Sequence, residues 1–362
     1  MKKIIISVCL LLSLAMLASC TPAKDYVSDT TEKQLGILGV PDVGSESEFK
    51  DYVVCSDNYA MYVGEYYYFF FTFLSEFVNN YTAEQYKELN FDPDTSLKEQ
   101  YVKDGSRTWY DFFKDLTLDH MEKILLSCEV AKKTSSSYAN EAKEYVNQVK
   151  REMESVAKSN GISFADLVYQ LYGGNVSTQS YLSAIQMEYI YNIFYLEKYN
   201  ETFESIGYDE AKAYGDSLEG EKDTTLTKNI AYVSVDDGET KAKALLESFL
   251  SGENKSYDTL KALAETNDYL CGVFDNNTKD TLTAKEIADW LFAEGRALGD
   301  ASHVFVEGDG HYVVYYYADG FEAYVANAIT KLTAKKLDDY YASLKSSANM
   351  KYDEEKLDSL KA

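Results

Sequence analysis

The sequence predicts an α+β protein that combines a mainly helical part with one small mixed domain. Over residues 52–217 apolar side chains recur at the three- and four-residue spacing of helices, and this spacing returns over residues 327–362. Between residues 226 and 318, strand-like and helix-like runs follow one another in the order β-α-α-β-α-β-β. Such an order within one short stretch is typical of a single α+β domain.

The helical part opens with a strongly aromatic segment. Residues 52–55 are apolar and predict either a short strand or the lead-in to the first helix. The spacing then predicts a helix over residues 59–81. Its uninterrupted apolar run covers only residues 66–74 and is flanked by Glu65 and Glu76, so we expect a buried or groove-lining helix and not a membrane span. Further helices are predicted over residues 108–134, 138–159, 163–172, 178–203 and 208–215.

Tyrosine is unusually frequent, with 33 residues among 362. A tyrosine ring is rigid and apolar, and its hydroxyl tolerates water. A groove lined with such rings is suited to binding many unfolded segments without one fixed pattern of contacts. The candidate binding residues in the first helix are Tyr66, Phe70 and Phe73. The alternative is that most of the tyrosines lie at the core edges of amphipathic helices.

The mixed domain begins with an apolar strand and two helical patterns. A glycine-bearing segment, residues 269–274, then leads to a third helix. The domain closes with two short strands, residues 302–306 and 311–317, joined by the sequence Glu-Gly-Asp-Gly. Because Asp-Gly stands between two alternating apolar runs, the sequence predicts a β-hairpin here.

This stretch resembles a parvulin-type peptidyl-prolyl isomerase domain. Residues 270–274, Leu-Cys-Gly-Val-Phe, stand where that family has a Gly-aromatic-Phe segment. Residues 290–292 and 298–302 resemble its aromatic helix and its Leu-x-x-Gly-x-x-Ser passage, and residues 310–314 resemble its closing Gly-Tyr-His strand. The resemblance implies that residues 226–318 form a parvulin-like domain that holds an extended peptide.

The positions that carry catalysis in that family differ in this chain. The family uses two histidines and a Cys or Asp, and the corresponding residues here are Asn229, Leu270 and Tyr312. His311 and Cys271 each stand one residue away, and a shift of one residue in a strand turns a side chain to the opposite face. They are the remaining catalytic candidates, and the resemblance implies weak or no isomerase activity. The apolar floor of the family's site is kept, and the residues expected to bind peptide are Phe274, Trp290, Phe292 and Tyr312.

The first 19 residues predict a lipoprotein signal peptide. A short basic region precedes an apolar run over residues 4–17, which is too short for a membrane-spanning helix. The run ends in Leu-Ala-Ser-Cys, which resembles the bacterial lipobox, so Cys20 is the predicted lipidation site. Each buried methylene of a lipid chain contributes ~0.8 kcal/mol, so two or three chains anchor a protein durably at the extracytoplasmic face of the cell membrane. Residues 20–51 predict a lipidated tether. The alternative is an ordinary secretory signal in which Cys20 is incidental.

The chain is strongly acidic, with a net charge of −25. Removal of residues 1–19 leaves 33 basic and 60 acidic side chains, a net charge of −27. Nucleic acid is excluded as a partner, because binding its phosphates requires a basic face. Anionic lipid headgroups are disfavoured for the same reason, so the lipid anchor alone is expected to hold the protein at the membrane.

Little in the sequence indicates a metal, a cofactor or a disulfide. The histidines show no metal-ligand spacing; His303 and His311 are placed to face each other across the hairpin, and a solvated pair is the simpler interpretation. Residues 275–286 match part of a calcium-loop pattern, but Lys279 and Asp280 replace an oxygen ligand and the required glycine. Three cysteines without motif spacing remain after lipidation and indicate buried free thiols: Cys55, Cys128 and Cys271.

The helical part extends the family resemblance. An Asn-Gly-Ile-Ser sequence, a short helix ending in Tyr-Gly-Gly and a long tyrosine-rich helix follow one another over residues 160–203. This order is similar to the helical region that precedes the parvulin domain in lipid-anchored PrsA-type and periplasmic SurA-type foldases. The terminal helix of those proteins returns to the N-terminal helices. The resemblance therefore implies that residues 327–362 pack on a helical chaperone-like lobe formed by residues 52–217.

Together these features predict a lipid-anchored extracytoplasmic foldase or chaperone whose partners are unfolded exported polypeptides, with no cofactor and no metal. Two other classes stay open. A surface lipoprotein that binds a solute or a glycan needs a concave pocket between two α/β lobes, for which the strand–helix alternations are too few. A structural envelope protein would use the parvulin-like part to dock one stable partner.

Overall fold

The computed structural model describes residues 52–134, 137–236 and 238–360. The predicted signal peptide, the tether and the lipidation site Cys20 lie outside the described residues. The described chain is α+β, as the sequence predicts, with many helices and two small antiparallel sheets. Its described residues divide into two compact units. We call them the helical unit, which comprises the described residues of 52–198 and 338–360, and the sheet unit, which comprises those of Tyr199–Leu337.

The helices predicted between residues 108 and 215 are all present, and their ends lie within two residues of the predicted ones. None of the helices in the described ranges combines the length and the apolar content that crossing a bilayer requires. In the first part of the chain the elements are β1 (Tyr52–Cys55), β2 (Ala60–Tyr62), α1 (Val63–Asn80), α2 (Ala83–Leu89), α3 (Trp109–Thr134), α4 (Ser137–Ser159), α5 (Phe164–Tyr172), α6 (Thr178–Ser205) and α7 (Tyr208–Ser217). They are followed by β3 (Leu226–Val235), α8 (Glu239–Ser251), α9 (Tyr257–Thr266), β4 (Leu270–Asn277), α10 (Lys285–Leu291), β5 (Ala301–Val306), β6 (Gly310–Glu322), α11 (Ala323–Ser347), β7 (Lys351–Tyr352) and α12 (Glu354–Ser359).

The first helix starts later than the sequence predicts. Instead of continuing a helix over residues 59–81, the chain forms strand β2, which pairs antiparallel with β1. Helix α1 begins at Val63, and the buried Glu65 carboxylate accepts the backbone N–H of Tyr62 at 3.2 Å. The prediction was wrong because three strand residues are too few for their alternation to be distinguished from helical spacing.

The end of the chain belongs to the core of the helical unit. Strand β7 pairs with β1 on the side opposite to β2, so the order in this sheet is β2-β1-β7. Leu357 and Leu360 are buried in the same apolar core as side chains of α1 and α3. The Leu360 carbonyl oxygen accepts the Tyr110 hydroxyl at 3.0 Å and the Lys98 ammonium at 3.3 Å. These contacts fix the last described residues against the first ones.

Aromatic side chains of α1 form the centre of this core. Tyr66 and Phe70 are fully buried, and the Phe70 ring lies 6.1 Å from the Phe113 ring of α3. They are therefore core residues, which corrects the expectation that they line an open peptide-binding groove. The third residue of that set, Phe73, is half-buried and lies against His120 with ring centroids 5.1 Å apart.

The sheet unit is built on one antiparallel sheet of four strands in the order β4-β3-β6-β5. The predicted order β-α-α-β-α-β-β and the predicted hairpin between β5 and β6 are confirmed. Strand β6 is longer than predicted, because it runs to Glu322 and stays paired with β3 through two register shifts. Both sheets of the described residues are antiparallel, so the described chain does not show the two α/β lobes that the solute-binding alternative needs.

Different helices cover the two faces of this sheet. Helices α8 and α9 pack on one face, against Ala231, Val233 and Val313. Helix α10 covers part of the other face, against Ile230 and Val314. Successive strand residues point to opposite faces, which explains why neighbours such as Ile230 and Ala231 belong to different cores. We call these surfaces the α8/α9 face and the α10 face.

The three cysteines of the described residues are free thiols. Cys55 and Cys128 are buried, and Cys271 is half-buried. Burial raises the pKa of the Cys128 thiol well above its ordinary value, so this group stays protonated and unreactive. The prediction of buried free thiols is confirmed for two of the three residues.

Candidate functional site

Three large apolar side chains of strand β4 are exposed. Leu270 is 60% exposed, and Val273 and Phe274 are each 39% exposed. Strand β4 lies at the edge of its sheet, and within the described residues it pairs with β3 alone. Proteins usually protect such edges with charges, prolines or bulges, because unpaired N–H and C=O groups attract other extended chains. An apolar edge strand is therefore a candidate binding surface.

The exposed side chains of β4 point to both faces of the sheet. Cys271 packs against the core beneath α8 and α9, and Val273 lies two residues further along the same face. Leu270, Gly272 and Phe274 alternate with them and lie on the α10 face. A chain aligned with the outer edge of β4 would find apolar contacts on either side.

Phe274 belongs to a small aromatic cluster on the α10 face. Its ring stacks on Tyr232 of β3, with centroids 4.6 Å apart and ring planes at 17°. Tyr232 in turn lies 6.1 Å from Tyr312 of β6. Gly272 leaves room for this arrangement, because a Cβ atom at that position would lie 2.6 Å from the Tyr232 hydroxyl oxygen. We refer to Tyr232, Leu270, Val273 and Phe274 as the β4 patch.

Tyr312 stands at the position where the sequence resemblance to the parvulin-type family places a histidine. Its hydroxyl donates a 2.5 Å hydrogen bond to the Asp309 carboxylate. Burial, followed by the bond to this carboxylate, raises the pKa of Tyr312 to about 12. The phenol is therefore neutral at physiological pH and does not supply a general base.

The other two aligned positions hold groups that do not titrate. The Asn229 side-chain oxygen accepts the backbone N–H of Asn276 at 2.6 Å and so fastens the end of β4 to β3. Leu270 is an exposed aliphatic side chain. General acid–base catalysis needs a group that exchanges a proton near the working pH. The α10 face supplies none at these positions.

His311 and Cys271, the catalytic candidates from the sequence, lie on the α8/α9 face, away from Phe274. They stand on β6 and β4, with β3 between them. His311 Nδ1 lies 2.9 Å from His303 Nε2, so one ring donates a hydrogen bond and the other accepts it. The two rings face each other across the hairpin, as the sequence allows, and both keep part of their surface exposed. The three residues His311, Cys271 and Phe274 do not converge in one cleft.

Trp290 and Phe292, two further candidates for peptide binding, are each covered by a cation. The Arg296 guanidinium lies 4.3 Å from the Trp290 ring and pairs with Asp300 at 3.2 Å. The Lys228 ammonium lies 5.2 Å from the Phe292 ring. These cation–π contacts occupy one face of each ring. The β4 patch is therefore the more accessible apolar surface.

The sequence predicted Phe274 as a peptide-binding residue and did not single out its neighbours in the patch, Tyr232, Leu270 and Val273. Side chains alternate along β3, so Tyr232 lies on the same face as Ile230. This alternation is visible in the sequence. The exposure of Leu270 and Val273 depends on β4 being an edge strand. That property follows from the strand order, which the sequence alone does not fix.

No model of a known protein family matches this chain, and no curated protein matches it. Solved structures do match. PrsA from Bacillus subtilis is 15% identical with a TM-score of 0.31, over 68% of this chain and 87% of that one. PrsA from Streptococcus pneumoniae is 12% identical with a TM-score of 0.25, over 67% and 85% of the two chains. A SurA-like chaperone from Campylobacter jejuni is 10% identical with a TM-score of 0.26, over 84% and 99%. The matched structures are of the type that the sequence resembles.

Proposed function

We propose that this protein is an extracytoplasmic foldase-type chaperone that binds extended apolar segments of unfolded exported polypeptides along strand β4. The observation that carries the proposal is the β4 patch: Leu270, Val273 and Phe274 are exposed apolar side chains on a strand at the edge of its sheet, and Tyr232 of the neighbouring strand stacks on Phe274. Its partners are polypeptides that have not yet buried their own apolar residues. No cofactor or metal is required for this activity.

Binding proceeds by strand addition. The outer N–H and C=O groups of β4 pair with the backbone of the client, and this pairing does not depend on the client's sequence. Apolar client side chains pack on Phe274 and Leu270 on the α10 face and on Val273 on the opposite face. Burial contributes ~25 cal/mol for each Å² of apolar surface removed from water. The client dissociates when folding buries more of its apolar surface than binding to the patch does.

Isomerase activity is expected to be weak or absent. Rotation about an X–Pro bond has a barrier of ~18–20 kcal/mol, and the parvulin-type family lowers it with a polar network on the sheet. Here Asn229, Leu270 and Tyr312 stand at the positions of that network and provide no group that titrates near neutral pH. We therefore propose a holding activity without catalysis of proline rotation.

A double substitution in the β4 patch tests the proposal. Leu270→Ser combined with Phe274→Ser removes two exposed apolar side chains and leaves the backbone of β4 unchanged. We expect the apparent affinity for a denatured client to fall about tenfold, which corresponds to ~1.4 kcal/mol. The measurement is light scattering during dilution of a denatured client whose refolding is limited by proline isomerisation. The matched control is Phe305→Ser, which removes a 54% exposed ring from β5 at the other edge of the sheet.

The outcomes separate the alternatives. Equal protection by the double variant and the wild type would overturn the proposal. With the same client, recovery of its native fluorescence follows refolding, and strong acceleration by catalytic amounts of the wild type would contradict the interpretation of Asn229, Leu270 and Tyr312. A glycan that raises the melting temperature by several degrees, in a protein that leaves the client unprotected, would favour the solute-binding alternative.

We also propose that Cys20 carries the lipid that holds the protein at the extracytoplasmic face of the membrane, on the basis of the lipobox-like sequence that ends at this residue. Cys20→Ala is expected to abolish incorporation of a labelled fatty acid and to move the protein from the membrane fraction to the soluble fraction. Ser19→Ala, which keeps a small residue before the thiol, is the control and should stay labelled. A labelled Cys20→Ala protein would contradict the assignment.

A further inference from the structure

The pairing of strands in the sheet unit determines which backbone groups of β4 face its open edge. Strand β6 lies between β3 and β5, and the Tyr316 N–H donates to the Asp300 carbonyl oxygen at 2.9 Å, on the side away from β3. Tyr316 lies directly opposite Ile230 of β3. Because backbone groups alternate in direction along an antiparallel ladder, the N–H and C=O of Ile230 point the other way, to its partner Phe274 of β4.

The same alternation continues along β4. Two residues further on, Tyr232 and Gly272 form the next hydrogen-bonded pair, so Cys271 and Val273 direct their N–H and C=O groups to the open edge. An antiparallel client strand therefore forms its hydrogen-bonded pairs with Cys271 and Val273. The client residue between these pairs stands opposite Gly272 in a non-hydrogen-bonded pair, where Cα atoms are only ~4.5 Å apart and side chains approach each other most closely.

The phenol end of Tyr232 occupies the space that a side chain of Gly272 would fill. A Cβ atom at this glycine would lie 2.6 Å from the Tyr232 hydroxyl oxygen and 2.7 Å from Cζ. The tyrosine thus crosses from β3 to the edge strand and brings its hydroxyl to the α10 face of Gly272. A client side chain opposite Gly272 meets this hydroxyl first.

The Tyr232 hydroxyl is open to solvent. Within the described residues it forms no hydrogen bond, and it does not belong to the buried side-chain atoms that lack a partner. Burial of part of the ring raises the pKa of Tyr232, so the phenol is neutral and can both donate and accept a hydrogen bond. A client strand on β4 displaces the water there. An apolar client side chain would leave the hydroxyl without a partner, which is unfavourable.

The residues on either side of this place are apolar. Leu270 and Phe274 lie two positions before and after Gly272, on the same face of β4, and both are exposed. Client residues two positions from the central one lie opposite them. Apolar client side chains are favoured there, because cross-strand neighbours bury each other's surface.

We infer that the β4 edge selects client segments in which a hydroxyl or amide side chain, that of serine, threonine, asparagine or glutamine, stands between two apolar residues, each two positions away. The central side chain forms a hydrogen bond with the Tyr232 hydroxyl, and the apolar residues cover Leu270 and Phe274. Threonine suits the central position best, because its β-branched side chain also favours an extended backbone. This inference rests on the proposed function, since it assigns the sequence preference of the same site.

Two labelled nine-residue peptides test this preference against the chain that lacks residues 1–20. Both carry leucine and phenylalanine two positions before and after the centre. One has threonine at the centre, and the other has valine, which has the same shape without the hydroxyl. Fluorescence anisotropy is expected to show about fivefold tighter binding of the threonine peptide, the usual effect of one hydrogen bond. Tyr232→Phe keeps the ring that stacks on Phe274 and removes only the hydroxyl, so this variant should bind both peptides alike.

One variant and one peptide serve as matched controls. Tyr257→Phe removes a hydroxyl from the α8/α9 face of the same sheet and should keep the preference for threonine. A third peptide exchanges the threonine with a neighbouring valine. This exchange turns the hydroxyl to the opposite face, so the peptide should bind like the valine peptide.

The outcomes distinguish the sequence preference from the binding site itself. Equal affinity of the wild type for the threonine and valine peptides, with weaker binding of both to the Leu270→Ser, Phe274→Ser double variant, would overturn the inference and leave the proposed function standing. A preference for threonine that persists in Tyr232→Phe would also overturn it. Binding of both peptides to the double variant as tightly as to the wild type would overturn the inference together with the proposed function.

Discussion

Replacing Glu65 by glutamine is expected to stabilise the helical unit by about 3 kcal/mol at pH 8 and to leave its stability unchanged below pH 4.5. Glu65 is 4% exposed, and burial raises its pKa from 4.5 to about 7, against the opposing effect of hydrogen bonds from the backbone and from Ser183. Glutamine keeps an oxygen that accepts the Tyr62 N–H and removes the charge. The free energy of unfolding rises because the variant does not bury an ionised carboxylate when it folds.

The sign follows from the proton balance. Below pH 4.5 the carboxyl group is protonated in the folded and in the unfolded chain. Between pH 4.5 and about 7 the unfolded chain loses this proton while the folded chain keeps it, so each rise in pH favours unfolding. Above pH 7 both states are ionised and the difference stays constant. The stabilising effect of protonated Glu65 is thus fully present below pH 4.5 and is lost as the pH rises to 7.

Urea unfolding at pH 4.5, 6 and 8 measures this effect. The chain has two tryptophans, Trp109 in the core of the helical unit and Trp290 in the sheet unit. A Trp290→Phe background leaves Trp109 as the reporter of the helical unit alone. Glu84→Gln, at an exposed position of α2, is the control and should show no difference from its parent at any pH. Equal stability of Glu65→Gln and its parent at pH 8 would contradict the assigned burial of a charge.

Ending the chain at Met350 is expected to lower the free energy of unfolding of the helical unit by about 3–6 kcal/mol, from the loss of two buried leucines at ~1.5–3 kcal/mol each. The deletion removes Leu357 and Leu360 from the core and removes strand β7 from the edge of β1. It also leaves the Tyr110 hydroxyl without the Leu360 carbonyl that accepts it.

The same Trp109 fluorescence measures this loss. Leu360→Ala tests the core contribution without removing the strand, and it should cost about 2–5 kcal/mol because truncation leaves a cavity. Ser359→Ala, at the exposed neighbouring position, should change the unfolding midpoint little. An unaltered midpoint for the truncated chain would show that the C-terminal residues are not needed by this core.

Much of the secondary structure followed from local signals. The Asp-Gly turn predicted the hairpin of β5 and β6, and the long apolar spacings predicted helices α3 to α7. Strand β2 was missed because Ala60–Tyr62 is too short to show its own period and precedes an aromatic helix. Its extended conformation depends on pairing with β1, which is a tertiary contact that local sequence does not specify.

The candidate site was harder to predict than the fold. Aromatic residues such as Tyr66 and Phe70 are common both in binding grooves and in cores, so the sequence does not distinguish the two. The structure shows a core, because α3 and the C-terminal residues pack in the same cluster. His311 and Cys271 lie on the face of the sheet opposite to Phe274. The alternation of side chains along a strand already predicts this from the sequence. The exposure of the β4 patch needed the strand order.

The pairing of β7 with β1 also imposes an order of events on a newly made chain. Translation delivers the N-terminus first, so β1 remains unpaired on one side until almost the whole polypeptide has emerged. The sheet unit is continuous in sequence, and all of its strands are available earlier. Pairing of β1 with β7 closes a loop of nearly 300 residues. Because closing a long loop costs entropy, we expect this pairing to form late and slowly during folding. The newly synthesised protein is therefore itself incompletely folded until its C-terminal residues have left the ribosome.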